Sequence, residues 1–163
     1  MSSVRRSDDK YSVTVSNLGA DLRIAPDDSE SGVSVVEHTL PPKTLGAPIH
    51  RHAREDEISY ILEGELTVQA DGEVSTVPAG EFVVKGRDTW HTFWNAGDEP
   101  MRFLELIAPG EFSGFFAEVA PLLAGGPPDE ATLAEIDDVA ARYELEVQWE
   151  SIPELCERHG LAP

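Results

Sequence analysis

The chain has 163 residues, of which 40% are hydrophobic, and it fits one compact domain with a sizeable core better than two. A formal net charge of -19 repels nucleic acid and anionic lipid, so neither is expected as a partner. The lone Cys156 cannot close an internal disulfide, and no stretch of the chain is long and apolar enough to span a membrane.

Residues 1–10 are polar and read as a loose segment, with two arginines but no apolar run behind them. That is not a secretory signal, and a cytoplasmic location is expected. Residues 11–109 read as short strands between turn residues. "YSVTV" and "LRIA" alternate, and "GVSVVEHTL" from Gly32 to Leu40 is rich in valine with apolar residues of both parities. "EISYILEG" and "ELTVQA" predict a hairpin hinged at Glu63-Gly64. Asp71-Gly72 predicts another. "EFVVK", "WHTFW" and "MRFLELIA" complete the series, whose spacing implies an all-β sandwich or barrel.

After Pro109-Gly110 the pattern changes, and residues 110–163 read as a mainly helical extension packed on the barrel. Phe112, Phe115, Phe116, Val119 and Leu122 share a helical face, with Pro121 expected to end or kink that helix. A second helix carries acids at its N-terminal end and repeats Leu133, Ile136, Ala140 and Tyr143. "ELEVQW" reads as extended. A last short helix has Ser151 as its N-cap and Gly160 as its stop.

The chemistry concentrates in "HRHAREDEISYILEG". On a strand His50 and His52 point the same way with Cα atoms roughly 6.5–7 Å apart, close enough for both imidazoles to reach one ion. If the next strand pairs with theirs, Glu57 returns to the same end, while Glu55 and Asp56 are expected as exposed turn residues. Parity places Glu57, Ser59 and Ile61 on one face, so Ser59 and Ile61 line any cavity that Glu57 faces. His91 is the fourth ligand, with Phe93 on its own face as a pocket wall and Trp90 and Trp94 opposite, in packing roles. His38, in the valine-rich strand, and His159, at a helix end, are weaker candidates. Three imidazoles and a carboxylate suit one divalent Fe, Mn, Ni, Co, Cu or Zn ion per chain. Glu105, among apolar neighbours, is a candidate proton acceptor with a raised pKa, and Glu37 has the same standing.

The chain resembles the cupin superfamily. The first cupin motif is matched by Gly46, His50, His52, Glu57 and Gly64, with three residues rather than five after the first glycine. The second is matched by Gly80, His91 and Asn95, with Gly86 in place of the proline and Asp88 in place of the second glycine. The resemblance implies a double-stranded β-helix, a jelly-roll barrel, and a metal held by His50, His52, Glu57 and His91. It also implies a homodimer. Among enzymes the look is similar to small bacterial cupins of the quercetin 2,3-dioxygenase type. That implies a dioxygenase acting on a small enol, phenolic or carbonyl substrate, with Glu57 as ligand and intermittent base and Glu105 as a further catalytic group. The alternatives are a metal-dependent isomerase, cyclase or lyase, and a small-molecule-binding module without catalysis.

Overall fold

The computed structural model describes residues 11–163, so the polar segment 1–10 lies outside the described residues. The strands are β1 (Ser12–Val15), β2 (Leu18–Ile24), β3 (Ser34–Leu40), β4 (Thr44–Leu45), β5 (Ile49–His52), β6 (Asp56–Glu63), β7 (Glu65–Ala70), β8 (Glu73–Pro78), β9 (Phe82–Lys85), β10 (His91–Asn95) and β11 (Met101–Ala108). A 3-10 turn follows, then α1 (Gly114–Leu123), α2 (Glu130–Arg142), β12 (Leu145–Gln148) and α3 (Ser151–His159).

Two antiparallel sheets face each other. One runs β1-β2-β3-β11-β6-β9, and the other runs β12-β5-β10-β7-β8 with β4 also paired to β10. Period-two alternation decides what each strand turns inward. Along β6, Glu57, Ser59 and Ile61 are buried, while Ile58, Tyr60 and Leu62 are half-buried on the outer face. Along β11, Met101, Phe103, Glu105 and Ile107 point in. The inward apolar residues form one core with Leu66, Val68 and Phe93 of the facing sheet.

Turn chemistry sets two of the connections. Asp71 and Gly72 both take positive φ, 48° and 86°, and join β7 to β8 as the expected hairpin. Gly64, at φ 80°, does something else. It carries the chain from β6 in one sheet to β7 in the other, so the hairpin expected at Glu63-Gly64 does not form. β5 and β6 likewise fall in opposite sheets. The residues inward on β6 are needed on one side of the core and those of β5 and β7 on the other, so sequence neighbours become facing layers.

The extension is not purely helical. β12 pairs with β5, setting Leu145 opposite His52 and Val147 opposite His50. Pro121 lies inside α1, which continues to Leu123. Asp129 caps α2 by accepting from the Thr132 amide at 2.8 Å. Phe112, Phe115, Phe116, Val119, Ile136 and Val139 join the barrel core itself, so α1 and α2 close one end of it. Ser151 is the first residue of α3 rather than its cap. Its hydroxyl accepts from the Ile49 amide and donates to the Gln148 carbonyl, which ties α3 to β5. Trp94, Leu45, Leu155 and Leu161 pack beneath α3. His159 stacks on Trp94 with ring centroids 4.5 Å apart, and it is a packed residue rather than a frayed one.

Candidate metal centre

Four ligand atoms, from His50, His52, Glu57 and His91, lie within 4.8 Å of one another, and all four residues are buried. The three histidines come from one sheet, where β10 pairs with β5 so that His91 sits opposite His50. Glu57 reaches them from the facing sheet. Its Oε2 lies 3.3 Å from His91 Nε2 and 3.5 Å from His52 Nε2. Ligands bonded to one ion at about 2.1 Å stand roughly 3–4 Å apart, so these spacings need little adjustment.

The polar atoms also fit an ion. His50 Nδ1 lies 2.8 Å from the Pro48 carbonyl and His91 Nδ1 lies 2.9 Å from the Thr89 carbonyl. A carbonyl can only accept, so each Nδ1 carries the proton and each Nε2 presents a lone pair. Nε2 of His52 and of His91 is buried with no hydrogen-bond partner. Buried polar atoms of this kind are rare unless something binds them. Burial, together with the neighbouring imidazoles, holds His50 well below the usual histidine range, and burial also lowers His91. Neutral imidazole is the form a metal requires.

Lys85 was not foreseen. It ends β9, is 1% exposed, and places Nζ 2.7 Å from Glu105 Oε2 and 3.2 Å from Glu57 Oε2. Ser59 Oγ donates to both Glu105 oxygens at 3.1 Å. Burial alone would raise Glu57, but Lys85 and the histidines hold it well below the usual carboxylate range. Burial dominates at Glu105 and pushes its carboxyl up to about 7 against the pull of Lys85. Burial would lower Lys85, yet Glu105 and Glu57 keep it raised, so the ammonium stays charged.

A cavity of about 720 Å³ opens beside this cluster. His50, Glu57 and Glu105 line its polar end, and Phe93, Phe112, Phe115 and Phe116 supply much of its apolar wall. The tail phenylalanines therefore both seat α1 and face the cavity. Ser59 and Ile61 are buried on the Glu57 side, as parity requires, but neither lines the cavity: Ser59 lies behind Glu105 and Ile61 is in the core. Burial lowers His38 to about 4, and its Nδ1 lies 2.9 Å from the Gly19 carbonyl, which leaves Nε2 as an acceptor on the cavity lining.

Other candidates resolve differently. Glu37 points outward and pairs with Arg23 and Arg102 at 2.9 Å each, which removes it as a proton acceptor. Glu55 is 1% exposed rather than an exposed turn residue. Asp56 is half-exposed and bonds Arg87. Burial raises the Cys156 thiol, so it is not an activated nucleophile.

The Asp88 departure from the second motif has a structural reading. Asp88 stands where the motif has glycine and adopts φ 61°, a left-handed backbone that aspartate tolerates. Its amide donates to the His52 carbonyl at 2.7 Å, so the altered turn still braces the ligand strand. Asn95 Nδ2 reaches the carbonyls of Leu40, Pro41 and Glu99, and its Oδ1 accepts from the Gly97 amide. It is a buried turn fastener. At Gly46 a Cβ would come within 2.1 Å of Phe93 Cε2. Gly46→Ala is expected to push the Phe93 wall inward and cost about 1–3 kcal/mol of stability, read from the midpoint of a urea melt.

A family model described as a cupin domain matches residues 36–107. Polyketide synthase CurC of Streptomyces cyaneus is 35% identical over 102 residues, covering 63% of this chain and 59% of that protein. The match thus spans somewhat under two thirds of that relative's length. A predicted oxalate decarboxylase of Thermotoga maritima superposes with a TM-score of 0.58 at 24% identity, covering 64% of this chain and 97% of its own. KdgF of Halomonas sp. follows at 0.54 and 19%, covering 66% and 93%. Streptomyces Pac13 with uridine gives 0.55 at 11%, covering 68% and 84%. At these identities the superpositions speak to the fold alone. The matched segment contains both motifs and all four clustered candidate ligands, so residues 36–107 carry a cupin domain.

Proposed function

We propose that this chain is a metal-dependent enzyme that takes a proton from an enolisable carbonyl substrate of the polyketide type. The carbon so activated then attacks a second carbonyl to close a ring. The observation that carries this reading is the buried Glu105–Lys85 pair beside Glu57, at the polar end of an otherwise apolar cavity. The 35% identity to polyketide synthase CurC supports the substrate class. A volume of about 720 Å³ suits a molecule of many heavy atoms rather than a two- or three-carbon acid.

His50, His52, Glu57 and His91 would hold the ion. Bound there, a divalent ion would supply Lewis-acid chemistry at a substrate carbonyl. Glu105 then accepts the proton of the neighbouring C–H bond, whose electron pair passes into the enolate. Its carboxyl, pushed up to about 7, is a stronger base than an ordinary carboxylate and still releases the proton near neutrality. The same proton is handed to the alkoxide oxygen formed when the new C–C bond closes. Lys85 and Ser59 keep Glu105 aimed, and the phenylalanine wall excludes water from the enolate.

Oxygen insertion into the same enolate is the second reading, favoured by a three-imidazole, one-carboxylate donor set that also suits redox-active metals. The test is to load the protein with Zn(II), Fe(II) or Ni(II), add a linear 1,3,5-tricarbonyl compound, and follow products by mass spectrometry under argon and under air. A cyclised product, or one less water, formed under argon supports ring closure. Products gaining oxygen only in air transfer the assignment to dioxygenation. Saturable binding with no turnover under either gas would leave a binding module.

A further inference from the structure

His50 and His91 each rest Nδ1 on the carbonyl two residues earlier in their own chain segment. His52 does not. Its Nδ1 is buried without a hydrogen-bond partner and points at Glu55 Oε2, 3.6 Å away. That oxygen is buried and unpartnered too. The nearest cation to Glu55 is exposed Arg54, with Nε 3.9 Å from Oε1 and also 3.6 Å from exposed Glu144. Burying a carboxylate is costly unless a charge or a donor meets it. Here Glu55 is 1% exposed, while Ala53 and Arg54 before it are exposed. The turn after β5 therefore folds this one side chain inward against the ligand imidazole.

We propose that Glu55 is a positioning residue for the metal: its carboxylate accepts a hydrogen bond from the Nδ1–H of His52 and so turns the lone pair of His52 Nε2 onto the ion. A movement of under about 1 Å converts the present contact into a charge-assisted hydrogen bond. The arrangement makes the three imidazoles unequal. His52 is backed by a carboxylate and is the more electron-rich donor, whereas His50 and His91 are backed by neutral carbonyls. It also balances charge within the barrel. Lys85 answers Glu105, and a divalent ion answers Glu57 and Glu55 together. Without Glu55 the loaded centre would carry an unmatched positive charge in a buried site.

This rests on the four-ligand metal reading, and the test separates the two. Metal-free protein is titrated with Co(II), and the dissociation constant and visible spectrum are recorded for wild type, Glu55→Gln, Glu55→Asp and Glu144→Gln. The melting temperature of each metal-free protein is recorded alongside. Wild type that binds no Co(II) overturns the metal reading itself. If wild type binds, Glu55→Gln is expected to weaken Co(II) about 10–100-fold and to shift the spectrum, with Glu55→Asp between the two. Glu144→Gln removes the same charge from a nearby exposed position and is expected to stay within about twofold of wild type. Metal-free Glu55→Gln should melt at or above wild type, because a buried carboxylate met only by exposed Arg54 at 3.9 Å has gone. A purely structural Glu55 would give the reverse: a lower metal-free melting temperature, with affinity within about threefold and the spectrum unchanged. That result overturns the proposal.

Discussion

Replacing His91 by alanine should leave the purified protein without its metal ion. His91 is 1% exposed on β10 and stands opposite His50, with Nε2 3.3 Å from Glu57 Oε2. No other histidine among the described residues reaches the cluster: His38 bonds Gly19 and His159 stacks on Trp94. The remaining three ligands would bind an ion far more weakly, because the closing ligand on the β10 side is gone. Elemental analysis is expected to fall from about one ion per wild-type chain to near zero in His91→Ala. The thermal shift on adding metal should vanish with it. For wild type at a thousandfold excess over Kd, that shift corresponds to about 4 kcal/mol. Turnover, where detected, should drop to background. Retention of a full equivalent of metal in this variant would place the site elsewhere.

Glu105→Gln should separate metal binding from proton transfer. The side chain is not a ligand, so metal content is expected to stay at the wild-type level. Glutamine still accepts from Lys85, and Glu57 remains 3.2 Å from that ammonium, so the barrel should hold. Turnover is expected to fall about 10²–10⁴-fold, the usual contribution of a positioned general base. The pH profile gives a second readout. Glu105 acts deprotonated and burial raises its carboxyl above the ordinary range, so the wild-type rate should rise with pH as that group titrates. The variant should lack that rise.

The same group leaves a mark on the stability of the metal-free protein. Its folded pKa of about 7 lies above the ordinary value of 4.5, so the folded state binds the proton more tightly than the unfolded state does. The stabilisation is complete below 4.5 and is lost as pH climbs through about 7. Glu57 runs the other way. Its pKa is held well below 4.5, so its contribution is present above 4.5 and is lost only on further acidification. Between pH 5 and 8, metal-free wild type should therefore lose stability relative to Glu105→Gln as pH rises. Parallel melting curves across that window would show that Glu105 is not the titrating group.

The sequence by itself determined which side chains could meet. Strand parity is a local property with a period of two. It correctly grouped His50 with His52, and Glu57 with Ser59 and Ile61. Turn chemistry is equally local, and Asp71-Gly72 formed the hairpin it predicts. The helical phenylalanines were legible from their spacing. What lay beyond reach was decided by contacts far apart in the chain. The side chain of Lys85 reads as an ordinary end to "EFVVK". Only the pairing of β9 with β6, next to β11, buries it between Glu57 and Glu105. Glu55 sits among "RED" and looks solvated, yet the turn folds it against His52. Glu63-Gly64 looks like a hairpin hinge, but the two strands it joins belong to facing sheets. Parity says which face a residue takes, and it cannot say which layer that face will meet. That choice belongs to the long-range packing of two sheets and a helical cap, and it converted four separate ligands into one buried centre beside a cavity.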